Sequence, residues 1–213
     1  MAFSLGIDSK VDAINAVLDA IGEVGINSEE EIDWNVDAAK ADQLVDRVSQ
    51  KIQSNNGKGW WFNREEFHKL SPDPVTGNVV VPRNTISAMV KRYNGSIKRV
   101  TLRGDKMFDA MTLGYDMREV VQSDGYVHCI LVVNLPFEAL PDNVKHAVSD
   151  AAGYWMVNNT EGDQIKMAAL RDAADAGMIA IQSEDASQRR RNMLNNKQVQ
   201  SSIHLVGGYN NNP

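Results

Sequence analysis

Residues 37–67 have the sequence DAAKADQLVDRVSQKIQSNNGKGWWFNREEF, in which a helical pattern gives way to a β pattern. Apolar side chains first recur at the spacing of one helix face, at Ala41, Leu44, Val45, Val48 and Ile52. The segment SNNGKG, residues 54–59, is rich in turn formers and ends this helix. The aromatic stretch WWFNREEF, residues 60–67, is typical of a strand. The stretch therefore predicts a helix that leads directly into a β module.

Another helix is predicted upstream, where Ser9 and Asp12 have the spacing of an N-cap and its reciprocal acid. Its apolar face comprises Val11, Ile14, Val17, Leu18 and Ile21. Gly22 and Gly25 end this helix, and the polar run NSEEEIDWN, residues 27–35, leads to the next one. The first quarter of the chain is thus predicted to be a helical hairpin.

Residues 58–135 are predicted to form an antiparallel β module. Its strand-like stretches are WWFNREEF, NVVVPRN, ISAMVKRY, KRVTLRG, KMFDAMT and YVHCILVVNL. Turn formers separate them, namely Pro72, Gly77, Asn94-Gly95 and Asp124-Gly125. Pro82 is expected at a strand edge, where its missing N–H does no harm.

The last third of the chain returns to a helical pattern. The third helix is predicted to bury a face made of Val144, Val148, Ala151, Ala152, Trp155 and Met156. After a break at residues 158–162, a fourth helix runs from Asp163 to about Asn196, a length of about 50 Å. Its helical pattern places Ile165, Ala169, Ala173, Ala176 and residues 179–181 along the helix. Such a helix is too long for this chain to cover, so part of it must project or pack on another chain.

The predicted fold class is therefore α+β, a helical bundle with an inserted antiparallel β module. Residues 1–57 and 136–197 form the bundle, with two helices from each end of the chain and the last one long. Residues 58–135 form the β module. Residues 198–213 form a flexible C-terminal tail that orders on binding, because it carries Ile203, Leu205 and Tyr209 in a polar, glycine-rich context.

Composition is that of a globular protein, with 43% apolar and 23% charged residues among 213. The net charge of −6 argues against a protein that grips DNA through its phosphates. An acidic wall instead lets a duplex slide past. The N-terminal sequence lacks the features of a secretory signal, and no stretch is long and apolar enough to span a bilayer, so a cytosolic protein without a membrane partner is expected.

Catalytic and cofactor motifs are missing from the sequence. The GKG at residues 57–59 lacks the other residues of a phosphate-binding loop. The histidines, at positions 68, 128, 146 and 204, have no second ligand at metal spacing, so no metal site is predicted. Cys129 lies in an apolar strand pattern and is expected to be a buried thiol. We therefore predict no catalytic residues, no cofactor and no metal.

Acidic pairs keep one enzymatic alternative open. They are Glu65-Glu66, Glu29-Glu30-Glu31 and Glu184-Asp185. A glycoside hydrolase needs only two well-placed carboxylates, one of them with a raised pKa. Adjacent acids on a strand point to opposite faces, and acids in loops or helices are usually solvated. The alternative hypothesis is therefore a tail-associated glycan hydrolase, or an adaptor with that second activity.

Two groups of residues are candidates for a subunit or partner interface, together with the three apolar tail residues. Arg189, Arg190 and Arg191 form the one concentrated basic patch, which is either a solvated helix end favoured by the helix dipole or a contact for an acidic partner or a phosphate backbone. On a strand, only one of Trp60 and Trp61 can face the core. The other must meet a helix, another subunit or solvent.

Several stretches resemble one known family. Residues 37–67, with Gly59-Trp60-Trp61-Phe62-Asn63 after a helix, are similar to the tail tubular protein A family of autographivirus-type short-tailed bacteriophages. Further matches follow in order at residues 14–26, 70–73, 103–104, 108–109 and 135–148. The chain departs from the family pattern in an extra SNNGK before Gly59 and in a longer tail.

The resemblance implies a ring adaptor, dodecameric in the family, that joins the portal protein of the head to the tail nozzle, tail tubular protein B. It also implies that tail fibre proteins attach around the ring and that viral DNA passes through it without sequence-specific binding. The protein is then a virion component assembled in the host cytoplasm. Besides the hydrolase, a nucleic-acid or partner-binding module unrelated to tails remains as an alternative, which a strongly basic face would favour.

Overall fold

A computed structural model describes residues 6–92, 94–160 and 162–194, with backbone alone from residue 190 onward. Within them the chain is α+β, as predicted. The helices are α1 (Lys10–Ala20), α2 (Val36–Ser54), α3 (Asp142–Thr160) and α4 (Gln164–Leu194). The strands are β1 (Arg64–Leu70), β2 (Thr85–Lys91), β3 (Ile97–Arg99), β4 (Thr101–Arg103), β5 (Lys106–Phe108) and β6 (Val127–Val133).

The two N-terminal helices begin at the caps that their sequences provide. Ser9 and Asp12 form the predicted capping box of α1, with backbone-to-side-chain distances of 3.2 and 2.9 Å. The Asn35 side chain caps α2 by accepting hydrogen bonds from the backbone N–H groups of Asp37 and Ala38. A 3-10 turn at Glu29–Trp34 precedes α2, and left-handed residues at Asn55, Asn56 and Gly57 follow it. The helical hairpin is confirmed.

Three helices, α1, α2 and α3, share the core of the bundle. The predicted faces of α1 and α2 are buried or half-buried, and most of the predicted face of α3 is buried too. Trp155 is the exception, because it remains 42% exposed. The buried face of α3 is centred on Ala152 and Met156, so Trp155 lies at its edge and the prediction for that residue is wrong.

The β module contains a four-stranded antiparallel sheet in the order β1-β6-β2-β3 and a hairpin of β4 and β5. The central strand β6 is almost wholly buried, which explains its continuous apolar sequence. A second apolar core lies on this module, separate from that of the bundle. Its largest buried members are Val79, Val90, Met107, Met117, Val127 and Leu131.

Two predicted strand segments have a different structure. Residues 60–63 form a turn, and β1 begins only at Arg64. Residues 78–84 make a single bridge, Val80 to Lys106, in place of a strand. Val79 and Val81 bury their side chains there, but Pro82 has no N–H to extend the ladder and lies in the connection before β2.

The bundle core includes one residue from the segment predicted as the β module, Trp60, with Trp61 and Phe62 packed against it. Phe137 and Leu140 also belong to the bundle core, while Leu135 packs against both cores. The division of the chain into two domains stays a prediction, and the predicted tail at residues 198–213 lies outside the described residues.

Candidate assembly surfaces

The Gly-Trp-Trp-Phe-Asn motif joins the bundle to the β module. Trp60 is buried, and its indole Nε1 donates to the carbonyl of Ile52 at 2.6 Å. The Asn63 amide donates to the carbonyls of Gln53 on α2 (2.9 Å) and Val133 on β6 (3.0 Å). Its Oδ1 accepts from the Trp60 N–H at 2.8 Å. Trp60 is thus enclosed within the subunit, where it fixes the junction.

Gly59 explains why the motif begins with glycine. Its φ is +64°, and a Cβ at this position would lie 2.8 Å from a methyl group of Val132. Any side chain would therefore strain the backbone and displace β6 from the motif.

Trp61 and Arg189, both predicted interface residues, lie in one cleft between the start of β1 and the end of α4. The cleft has a volume of about 160 Å³ and is lined also by Arg64, Glu66 and Asp185. Trp61 is half-buried and stacks edge-on against Phe62, while Arg189 pairs with Asp185 at 2.7 Å. Trp61 therefore meets a helix of its own chain, one of the outcomes predicted, and its role in an interface stays a prediction.

The side chains of the other predicted contact residues lie outside the described parts of the chain. The backbone of Arg190 and Arg191 continues α4, but their side chains are outside the described residues. Ile203, Leu205 and Tyr209 lie there as well, so their predicted roles stay predictions.

Helix α4 packs on α3 through a face that shares only Ile181 with the predicted pattern. This face comprises Met167, Leu170, Ala174, Gly177, Met178 and Ile181. At Gly177 the helices approach so closely that an added Cβ would lie 2.9 Å from the Cβ of Ala147. Glycine therefore permits the contact between the two helices.

Most of the apolar residues in the predicted pattern of α4 lie on its outward face. Of the predicted residues only Ile181 is buried, while Ile165 is 83% and Ile179 is 66% exposed. Ala169, Ala173 and Ala176 are exposed beside them. These residues lie on the side opposite α3, so the subunit leaves an apolar stripe about 20 Å long uncovered, between residues 165 and 179.

Residues with possible chemistry are engaged in structural contacts. Cys129 is buried, as predicted, and burial raises the pKa of its thiol to about 12. His68 contacts Glu65, and His128 lies 2.8 Å from Asp124. Among the described residues no cluster of three or more His, Cys, Asp or Glu side chains could hold a metal ion. No helix in the described part of the chain is long and apolar enough to cross a membrane.

Three carboxylates of the acidic pairs, those of Glu66, Glu184 and Asp185, contact other side chains of this chain. Burial opposes the shift, but hydrogen bonds from Arg64 (2.8 Å) and Lys91 (3.1 Å) hold the pKa of Glu66 below its usual range. A general acid needs a raised pKa. Glu184 accepts a hydrogen bond from Gln188, and Asp185 pairs with Arg189. The hydrolase hypothesis gains no support from these carboxylates.

The β module contains a buried ion pair that was not predicted from the sequence. Lys98 on β3 and Asp109, just after β5, lie 2.6 Å apart, with side chains 7% and 1% exposed. Asp109 also accepts hydrogen bonds from Met111 and Thr112. The two residues belong to different segments with no shared motif, so no sequence signal joins them.

A fold whose longest helix keeps an uncovered apolar stripe belongs to the class of proteins that assemble with other chains. The family model of tail tubular proteins matches residues 11–203, and the chain belongs to the tail tubular protein family. It is therefore a structural component of a bacteriophage tail. A search of curated proteins gave no match.

Proposed function

We propose that this chain is the adaptor subunit that connects the portal of the phage head to the tail nozzle. Copies of it form a dodecameric ring that extends the portal channel and carries the tail fibres. The protein has no enzymatic role and assembles in the host cytoplasm. Family membership supports the tail role, and the resemblance to tail tubular protein A supports the position between portal and nozzle.

The outward face of α4 carries the proposal. Ile165 and Ile179 are exposed to water in the single chain. Burial of each side chain in an interface would contribute about 2 kcal/mol of hydrophobic stabilisation. Alanines between them allow another helix to approach closely. A closed ring requires two different faces on each subunit, and this stripe is one of them.

The two ends of the molecule suit two different partners. The C-terminal end of α4 and the tail, residues 198–213, bind the portal. The β module faces the nozzle and the fibres, and it exposes Phe67, Val75, Met111 and Leu113. Each contact can be weak, because many copies engage their partners together.

The net charge of −6 suits a conduit for viral DNA. A wall of like charge repels the phosphates at short range, so the duplex slides through without sequence-specific binding.

Native mass spectrometry of the protein, alone and with its cognate portal, tests the adaptor role. We expect a ring of subunits on the portal. A double variant, Ile165→Glu with Ile179→Glu, is expected to lower ring assembly at least tenfold. The matched control is Gln164→Glu with Gln182→Glu, which adds the same charge at exposed positions on another side of α4. Equal assembly of the two variants would remove α4 from the interface, and wild-type protein that ignores the portal would refute the adaptor role.

Deletion of residues 197–213 tests the assignment of the two ends. We expect this variant to lose portal binding and to keep nozzle binding. The reverse result would show that the tail faces the nozzle.

A further inference from the structure

The two ends of α2 carry opposite charge and lie far apart. The 3-10 turn at Glu29–Trp34 precedes the helix, and the loop at residues 54–59 follows it. With 19 residues, α2 is about 28 Å long. The dipole of α2 favours acids at its start and bases at its end, so this separation of charge is stable in a single subunit.

The acidic end is exposed and has a large apolar residue at its centre. Glu29, Glu30 and Asp33 are exposed, and within the described residues none of them forms an ion pair. Trp34 is 90% exposed, and Val36 beside it is 70% exposed. Tryptophan is enriched among the residues that contribute most to binding at protein interfaces, and polar groups usually form the rim around them. We call residues 29–36 the acidic knob.

The basic end is a groove of about 400 Å³. Its apolar lining is Ala88, Met89 and Val100, and its cations are Lys58, Arg64 and Arg99. We call it the basic groove. The loop that forms one wall is fixed, because Ser87 Oγ donates to the Gly57 carbonyl at 2.7 Å.

The basic groove holds more positive charge than its own chain neutralises. Arg64 pairs with Glu66 and donates to the Lys58 carbonyl. Lys58 and Arg99 are exposed and form no ion pair among the described residues. The whole β module, residues 58–135, has 11 basic and 8 acidic residues, whereas the rest of the chain has 11 basic and 20 acidic residues. The rest of the same molecule therefore carries an excess of acidic residues with which a basic surface of another copy can pair.

We infer that the acidic knob of one copy docks in the basic groove of the next copy. The α2 helix holds the knob and the groove about 28 Å apart, so one chain cannot join them by itself. Trp34 packs on the partly exposed Met89, where a thioether and an indole make a favourable contact. The knob carboxylates pair with Lys58 and Arg99.

This contact rests on the proposed ring and specifies one interface within it. Knob and groove are different surfaces, so each contact is heterologous and leaves one free knob and one free groove for further copies. Repetition of such a contact closes a ring when its rotation allows. The loop that forms the groove is the SNNGK segment by which this chain departs from the family pattern, which gives the groove a specificity of its own.

Charge reversal tests the contact. Lys58→Glu with Arg99→Glu, and separately Glu29→Lys with Glu30→Lys, should each raise the concentration needed for ring assembly at least tenfold. The chain that combines all four changes should assemble within about threefold of wild type, since the opposite charges meet again. Arg83→Glu with Arg92→Glu is the matched control, because both arginines are exposed in the same module and lie outside the groove.

Zero-length cross-linking of a mixture of isotopically labelled and unlabelled protein, assembled on the cognate portal, identifies the residues in contact. We expect Lys58 of one copy to be joined to a knob carboxylate of another. Rings without such a link, or rings that tolerate both reversals, would overturn the knob-and-groove contact and leave the adaptor role intact. Variants that assemble normally but lose binding to a duplex oligonucleotide would overturn it in favour of DNA. Absence of any ring in wild type would overturn both proposals.

Discussion

Gln53 and Leu135 hydrogen bond to each other twice. The Gln53 Oε1 accepts from the Leu135 backbone N–H at 2.8 Å, and its Nε2 donates to the Leu135 carbonyl at 3.0 Å. Gln53 is fully buried in the last turn of α2, and Leu135 lies where the chain leaves β6 for α3. The Gln53 side chain thus pairs with both the N–H and the carbonyl of Leu135, in the segment that connects the β module to α3.

Gln53→Ala is expected to lower the free energy of unfolding by about 3 kcal/mol. The substitution leaves the N–H and the carbonyl of Leu135 without partners, and each unsatisfied buried group costs about 1–3 kcal/mol. Urea unfolding followed by circular dichroism measures the change. Gln50→Ala is the control, because Gln50 is exposed on the same helix and should change stability by less than about 0.5 kcal/mol. Equal effects at the two positions would contradict the role of Gln53.

Gly177→Val is expected to separate α4 from α3. Even a Cβ at this position would lie 2.9 Å from the Cβ and 3.3 Å from the Cα of Ala147, so the backbones must move apart. Such overpacking costs about 1–3 kcal/mol. Ala176→Val adds a valine at the adjacent exposed position and should leave thermal stability almost unchanged. A melting temperature of Gly177→Val equal to that of Ala176→Val would show that the helices do not meet at Gly177.

Asp109→Asn is expected to destabilise the β module by about 3 kcal/mol at neutral pH. The substitution leaves the Lys98 ammonium buried without its partner. Urea unfolding measures the loss, with Asp105→Asn as an exposed control in the same turn region.

The effect of Asp109→Asn should depend on pH. The hydrogen bond from Lys98 lowers the pKa of Asp109 from 3.8 to about 2, although burial opposes the shift. A lowered pKa in the folded state contributes stability above about pH 4 that is lost as pH falls towards about 2. The difference in unfolding free energy between wild type and Asp109→Asn should therefore narrow over this interval. A constant difference would mean that the Asp109 charge does not contribute.

The N-terminal hairpin could be predicted because its determinants are local. Ser9 and Asp12 are three residues apart, and the apolar faces of α1 and α2 each stand opposite a polar face. The burial of β6 could likewise be predicted, because its sequence is almost continuously apolar. Strand limits around Trp60 and Pro82 were less accurate, because turn formation there depends on contacts with Ile52 and with β5.

The orientation of α4 could not be predicted, because small apolar residues lie on both of its faces. Ala169 and Ala173 look as suitable for burial as Ala174 and Gly177. The close approach to Ala147 decides between them, and this contact joins residues 30 positions apart. The candidate interface residues divide in the same way. Trp60 is buried and donates a hydrogen bond to Ile52, which the periodicity of the sequence does not indicate. The acidic and basic ends of α2 can be recognised as a pair of docking surfaces only from the structure, which gives the distance between them.

Because the β module is inserted between α2 and α3, the ribosome synthesises the bundle in two separate parts. The ribosome completes α2 at Ser54 but does not reach α3 until Asp142. Until then the apolar faces of α1 and α2 lack the partner that completes their core, whereas the β module already has all its strands by Val133. Contacts between distant segments form late. Translation that stops within the β module therefore releases a chain whose helical hairpin exposes its apolar faces, and the bundle core can form only after α3 has been synthesised.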